Sequence, residues 1–184
     1  MIDAAFDELT ERGYERVTMQ GIARRAGASK ETLYSWFGNR EGLFAALIEE
    51  NAAASAERVE AALTTERDPR DTLVGFATGL LRLLTSERSV VLNRAAMGSP
   101  ELARVLLASG RHRLGPLVER YLERLAARSL LRIDDADDAF RLLYGLVVQD
   151  AQIRTLLGED PPSPAEIDER AARAVDRFLT LVGT

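Results

Sequence analysis

TMQGIARRAGASKETLYSWF, residues 18–37, contains the stop and start signals of two short helices joined by a tight turn. Thr18 is a residue type that caps a helix, because its side-chain oxygen can accept one of the orphan N–H groups of the first turn. Val17, just before it, can staple onto Ile22, and Ile22, Ala23 and Ala26 then recur on one helical face. Gly27 follows where a left-handed stop costs least in a residue without a β-carbon. Ser29 caps a second helix, in which Leu33 and Phe37 stand four apart on the face that must pack inward. Lys30, Glu31, Thr32, Tyr34, Ser35 and Trp36 are left to flank that seam or face away from it. A helix this short is unstable alone, so its neighbours must hold it. The pattern is that of a helix-turn-helix, whose second helix is shaped for a DNA major groove.

On the N-terminal side, Ile2, Ala5, Phe6 and Leu9 form the stripe of a supporting helix over residues 2–12, which Gly13 ends. On the other side, Gly38 and Asn39 close the second short helix, and a longer one is predicted from Arg40 to about Leu63. Its Leu43, Phe44, Leu47 and Ile48 pack on the head, and its alanine-rich end, Ala52 to Ala62, continues toward the rest of the chain. Residues 64–70, with Pro69, read as a loop and a domain boundary. Further helices are expected over 71–86, 90–97, from Pro100 onward, and up to about Ser129 after a break near Gly110 and Gly115-Pro116. A strongly apolar helix is expected over 139–157 and a last one over 165–182. No alternating strand pattern occurs, so the class is all-α, with a head at 1–45 and a larger helical body at 46–184.

The head resembles the TetR family of bacterial transcriptional repressors. The resemblance rests on Ile2-Asp3-Ala4-Ala5-Phe6, Glu11-Arg12-Gly13-Tyr14, Thr18, Ile22-Ala23, Ala26-Gly27, Thr32-Leu33-Tyr34, Phe37 and Arg40-Glu41-Gly42-Leu43-Phe44. It implies that Gln20, Ser29, Lys30, Thr32 and Ser35 contact bases or the groove, and that Thr18, Tyr34, Trp36 and Arg40 contact phosphates of a double-stranded operator. The chemistry agrees: hydroxyls and helix N-termini bind phosphate oxygens, while Lys and Gln match base edges. Trp36 stands where many members have histidine. Many relatives also carry a basic arm ahead of the first helix; here that helix is predicted to begin almost at Met1, and no arm contact is carried over.

One short helix offers few base contacts, so two copies are needed to find an operator among competing sites. A homodimer is expected, with its interface on the last two helices. Leu142, Leu143, Leu146, Val147 and Ile153 cover more of the helix circumference than one core needs, and Ala172, Val175, Phe178, Leu179 and Val182 continue the apolar surface. The resemblance implies that these two helices form a four-helix bundle with the partner's pair. It also implies a repressor released by a small-molecule effector that shifts the long fourth helix. Phe76, Leu80, Leu83, Met97, Tyr121 and Tyr144 are the candidate lining of the effector pocket, with Asn93, Gln149 and Gln152 as polar anchors. The scarcity of charge among them favours a hydrophobic effector.

Composition narrows the alternatives. The 184 residues are 46% hydrophobic and 29% charged, which marks a globular chain, and no run reaches the apolar length of a membrane span. No signal peptide is seen, and the absence of cysteine fits a cytoplasmic setting and removes thiolate chemistry. A net charge of −5 argues against nonspecific nucleic-acid binding. It leaves open a specific contact through Arg24, Arg25, Lys30 and Arg40, among which Lys30 is the only lysine of the chain. The single histidine, His112, lies between two arginines, so neither a nucleophile triad nor a zinc site has its parts, and no enzyme, cofactor or metal is expected. Asp134, Asp135, Asp137 and Asp138 favour the positive end of the helix that follows them. The alternative is a helical ligand-binding or interaction protein without operator recognition.

Overall fold

In the computed structural model, which describes residues 1–64 and 68–183, the chain forms α1 (Ile2–Arg12), a 3-10 turn (Tyr14–Arg16), α2 (Met19–Ala26), α3 (Lys30–Phe37), α4 (Arg40–Thr64) and α5 (Pro69–Leu84). They are followed by α6 (Glu87–Met97), α7 (Pro100–Ser109), α8 (Arg111–Ala127), α9 (Ala136–Val148), α10 (Ala151–Leu156) and α11 (Pro164–Val182). Among the described residues there is no strand, only one antiparallel bridge between Leu131 and Gly183. Residues 65–67 of the boundary expected at 64–70 lie outside the described residues; Asp68 then caps α5 by accepting from the Arg70 and Asp71 N–H groups.

The chain divides into two packing units, Met1–Ala53 with Glu87–Gly110, and Ala54–Ser86 with Arg111–Thr184. The core of the first unit gathers Phe6 and Leu9 of α1, Ile22 of α2, Leu33 of α3 and Leu43, Phe44 and Ile48 of α4, joined by Leu92, Ala95 and Ala96 of α6 and Leu102 of α7. By packing, α6 and α7 thus belong with the head. In the second unit α11 lies against α5 and α9, and α8 against α9. Phe76, Leu81, Leu122, Leu143, Val175 and Phe178 are among its fully buried side chains. Across the α5–α11 seam the Arg70 guanidinium forks onto Asp176, with Nε donating to Oδ1 at 2.6 Å and Nη2 to Oδ2 at 3.0 Å.

The single helix expected over 139–157 is two. Gln149 takes φ 45°, ψ −122° and ends α9, its N–H donating to the Gly145 carbonyl, and α10 restarts at Ala151. Positive φ is unusual for a residue with a long side chain, and it turns the chain where the hydrophobic periodicity alone runs on.

Candidate DNA-binding face

The turn between α2 and α3 is specified atom by atom. Thr18 Oγ1 accepts from the Gly21 N–H at 3.1 Å and fixes the start of α2. Gly27 ends that helix in the left-handed conformation, φ 62° and ψ 29°. Ser29 Oγ accepts from the Thr32 N–H at 3.1 Å and starts α3, and the two side-chain oxygens lie 3.0 Å apart. Leu33 is buried and Phe37 partly buried, so α3 is held by one face only. The α3–α4 junction is closer still: Asn39 Oδ1 accepts from the Gly42 N–H at 2.7 Å, and a β-carbon at Gly42 would sit 2.1 Å from the Phe37 carbonyl oxygen. Gly42 lets the first turn of α4 pass across the end of α3.

This frame turns a set of polar and aromatic side chains to solvent. Thr18 and Gln20 are exposed on the α2 side, Ser29, Lys30, Tyr34, Ser35 and Trp36 are exposed around α3, and Thr32 is half-buried. Trp36, the only tryptophan, is 66% exposed, too open for a packing residue. The Lys30 ammonium lies 5.5 Å from the Tyr34 ring centroid, which holds the charge near the helix surface. Beside it, Glu31 keeps its carboxyl below the usual range through a backbone N–H and then the Ser29 hydroxyl.

Two of the four clustered cations are occupied within the protein. Arg25 donates Nε to Glu8 Oε1 at 3.1 Å, Nη1 to Glu11 Oε1 at 2.7 Å and Nη2 to Glu11 Oε2, with Asp7 3.8 Å away. The Glu11 carboxyl is held below its usual range chiefly by that hydrogen bond from Arg25. Arg25 therefore clamps α2 to α1 and adds little positive charge to the outer face. Arg40 lies 4.4 Å over the Tyr14 ring, donates Nη1 to the Tyr14 carbonyl at 3.1 Å, and sits 3.5 Å from Glu41. It pins the start of α4 to the chain ahead of α2. Arg24, named with the clustered cations but given no contact of its own, is exposed on α2.

The other expected sites divide between the two units. Phe76, Leu80 and Tyr121 are buried in the core of the second unit, with Tyr144 packed against it, Leu83 and Gln152 half-buried and Gln149 exposed. The Arg111 guanidinium caps Phe140 and Tyr144 at 5.2 and 4.9 Å, and burial pushes the Tyr144 phenol up against the pull of Arg111. Asn93 and Met97 belong to the first unit; Asn93 donates to the Ser89 carbonyl at 2.7 Å, and Met97 is 68% exposed.

Of the expected interface residues, Leu142 and Ile153 are 37% and 48% exposed, while Leu146, Ala172, Leu179 and Val182 are half-buried. Val175 and Phe178 are corrected: both are fully buried, because their side of α11 fills the seam with α5 and α9. Leu157 and Leu181, 81% and 65% exposed, are further open apolar residues that were not among the expected interface residues. His112 is exposed, and the carboxylates of Asp135, Asp137 and Asp138 have structural partners. Asp135 caps α9 through the Asp138 N–H at 2.8 Å, and Arg141 pairs with Asp137 and Asp138. No helix among the described residues is long and apolar enough to cross a membrane.

A capped, glycine-turned helix pair with its second helix open to solvent defines a helix-turn-helix DNA-binding protein. Residues 1–47 match the family model "Bacterial regulatory proteins, tetR family", and residues 71–183 match "AefR-like transcriptional repressor, C-terminal domain". The chain belongs to the TetR family and is a transcriptional regulator. It is 30% identical over 172 residues to the HTH-type transcriptional regulator YdeS of Bacillus subtilis, covering 85% of this chain and 84% of that one. A TetR regulator from Agrobacterium tumefaciens is 38% identical with a TM-score of 0.80, over 100% of this chain and 92% of that one. The flavonoid-responsive regulator FrrA is 27% identical with a TM-score of 0.74, over 99% and 94% of the two chains.

Proposed function

We propose that this regulator is a cytoplasmic, homodimeric repressor that carries no catalytic activity and leaves its operator when a small hydrophobic effector binds the second unit. The observation that carries the reading is α3, anchored by Leu33 and Gly42 on one side and presenting Lys30, Ser35 and Trp36 on the other. In this reading Lys30, Gln20, Ser29, Thr32 and Ser35 face bases, while Thr18, Tyr34, Trp36, Arg24 and the outer edge of Arg40 face phosphates. The match to a repressor C-terminal domain and the name of the flavonoid-responsive relative support ligand release. Phe76, Leu80, Leu83, Tyr121 and Tyr144 are the effector lining proposed, with Gln149 and Gln152 at its edge; Asn93 and Met97 are left out. The division by role is a DNA-binding head over 1–45 and a ligand-binding and dimerisation body over 46–184, with α4 running from one to the other. Leu142, Leu146, Ile153, Ala172, Leu179 and Val182 carry the dimer contact.

Two substitutions separate readout from backbone contact. Lys30→Ala is expected to lower affinity for the preferred duplex by roughly tenfold while leaving binding to random duplex nearly unchanged, because a base contact contributes about 1–3 kcal/mol of discrimination. Arg40→Ala is expected to weaken both alike and reduce the slope of log affinity against log salt by about one. Fluorescence anisotropy across a salt series reads both. Equal loss on the two duplexes for Lys30→Ala would remove that residue from base readout.

A further inference from the structure

In the first unit, a cleft of about 370 Å³ opens between the end of α1 with the 3-10 turn after it and α6 with the residue following it. None of its lining residues belongs to α2 or α3. Three arginines, Arg12, Arg16 and Arg94, are among its lining residues, with one acidic residue, Glu15. Arg12 Nε lies 2.7 Å from the buried Glu8 carboxylate, which offsets part of its charge, and Arg16 Nε donates to the Arg12 carbonyl at 3.2 Å. The apolar part of the lining includes Leu9, Val91 and Ala95, and Tyr14 adds an aromatic wall.

Cations of one sign along a concave wall concentrate an anion there, and a guanidinium fork matches a carboxylate in two parallel hydrogen bonds. The volume lies at the lower end of the range for small-molecule sites, about 300–1,000 Å³. We propose that this cleft is a second ligand site, which takes a small amphipathic carboxylate with its apolar body against the half-buried Val91 and Tyr14 and its charge on the arginine rim. Occupancy would tie α6 to α1 inside the unit that carries α3; a consequence for operator affinity rests on the reading above, whereas the site itself does not.

Calorimetric titration of the full chain with 4-iodobenzoate tests the site. Saturable binding is expected, weakened roughly tenfold or more by Arg94→Glu and by Arg16→Glu, since each removes a charged donor from the rim and puts a carboxylate in its place. In crystals soaked with the same compound, iodine should be located in the cleft beside Val91 and Tyr14 by its anomalous scattering. Arg16 is exposed, so its variant keeps the test decisive if Arg94→Glu fails to fold. No saturable binding, unchanged binding in folded Arg16→Glu protein, or iodine found only outside the cleft would overturn the proposal. The titration contains no DNA, so each of these outcomes leaves the assignment of α3 standing.

Discussion

Gly42→Ala is expected to destabilise the first unit by about 1–3 kcal/mol and to cut DNA affinity by roughly tenfold or more, although alanine is ordinarily the better helix former by about 1 kcal/mol. The new β-carbon would meet the Phe37 carbonyl oxygen at 2.1 Å, a backbone atom that cannot turn aside as a side chain could. Relief requires α4 to back away from the end of α3, which carries Lys30, Ser35 and Trp36 with it. Gly75 is the matched control: it is a helical, exposed glycine in α5 with nothing within 4 Å of an added β-carbon. Gly75→Ala should therefore stabilise by about 0.5–1 kcal/mol and leave DNA binding unchanged. Thermal unfolding and anisotropy titration of both variants check the pair; a stabilised, DNA-competent Gly42→Ala protein would mean the junction is not tight.

The second large effect separates core from interface on α11. Phe178 is 0% exposed, and its truncation to alanine is expected to cost about 3–5 kcal/mol, a large part of the roughly 5–15 kcal/mol that holds a typical domain together. That loss is within one chain, so the folded Phe178→Ala protein should keep its subunit affinity. Leu142 is 37% exposed on α9, and Leu142→Asp should do the opposite, leaving helicity near the parent value while sedimentation shows a shift from dimer toward monomer. Chemical denaturation and sedimentation equilibrium at several protein concentrations read the two effects. If Phe178→Ala dissociated the dimer without loss of stability, its side chain would have to be returned to the interface.

Local signals carried the head. Caps at Thr18 and Ser29, the left-handed Gly27 and the inward Leu33 are all short-range features, and the atoms stand where those residue types require. What local pattern could not supply was the partner across the fold. Arg25 counts as a DNA-facing cation until Glu8 and Glu11, 17 and 14 residues earlier, are seen to hold it. Val175 and Phe178 look like interface on a helical wheel because the wheel does not say which neighbour a stripe meets; α5 and α9 take that side. The break at Gln149 has no glycine or proline to announce it, only a backbone turn to φ 45° in an exposed residue. Met97, apolar and at helical spacing, is left open near the end of α6, where no core neighbour closes over it.

Selection of bound duplexes from a random library by the purified protein tests most directly whether α3 reads DNA. Enrichment of an inverted repeat whose half-sites lie about 10–10.5 base pairs apart, or a multiple of that, is expected, with the preferred bases altered by Lys30→Ala. A library that emerges unenriched, or one whose preference is identical for the parent and Lys30→Ala proteins, would contradict it.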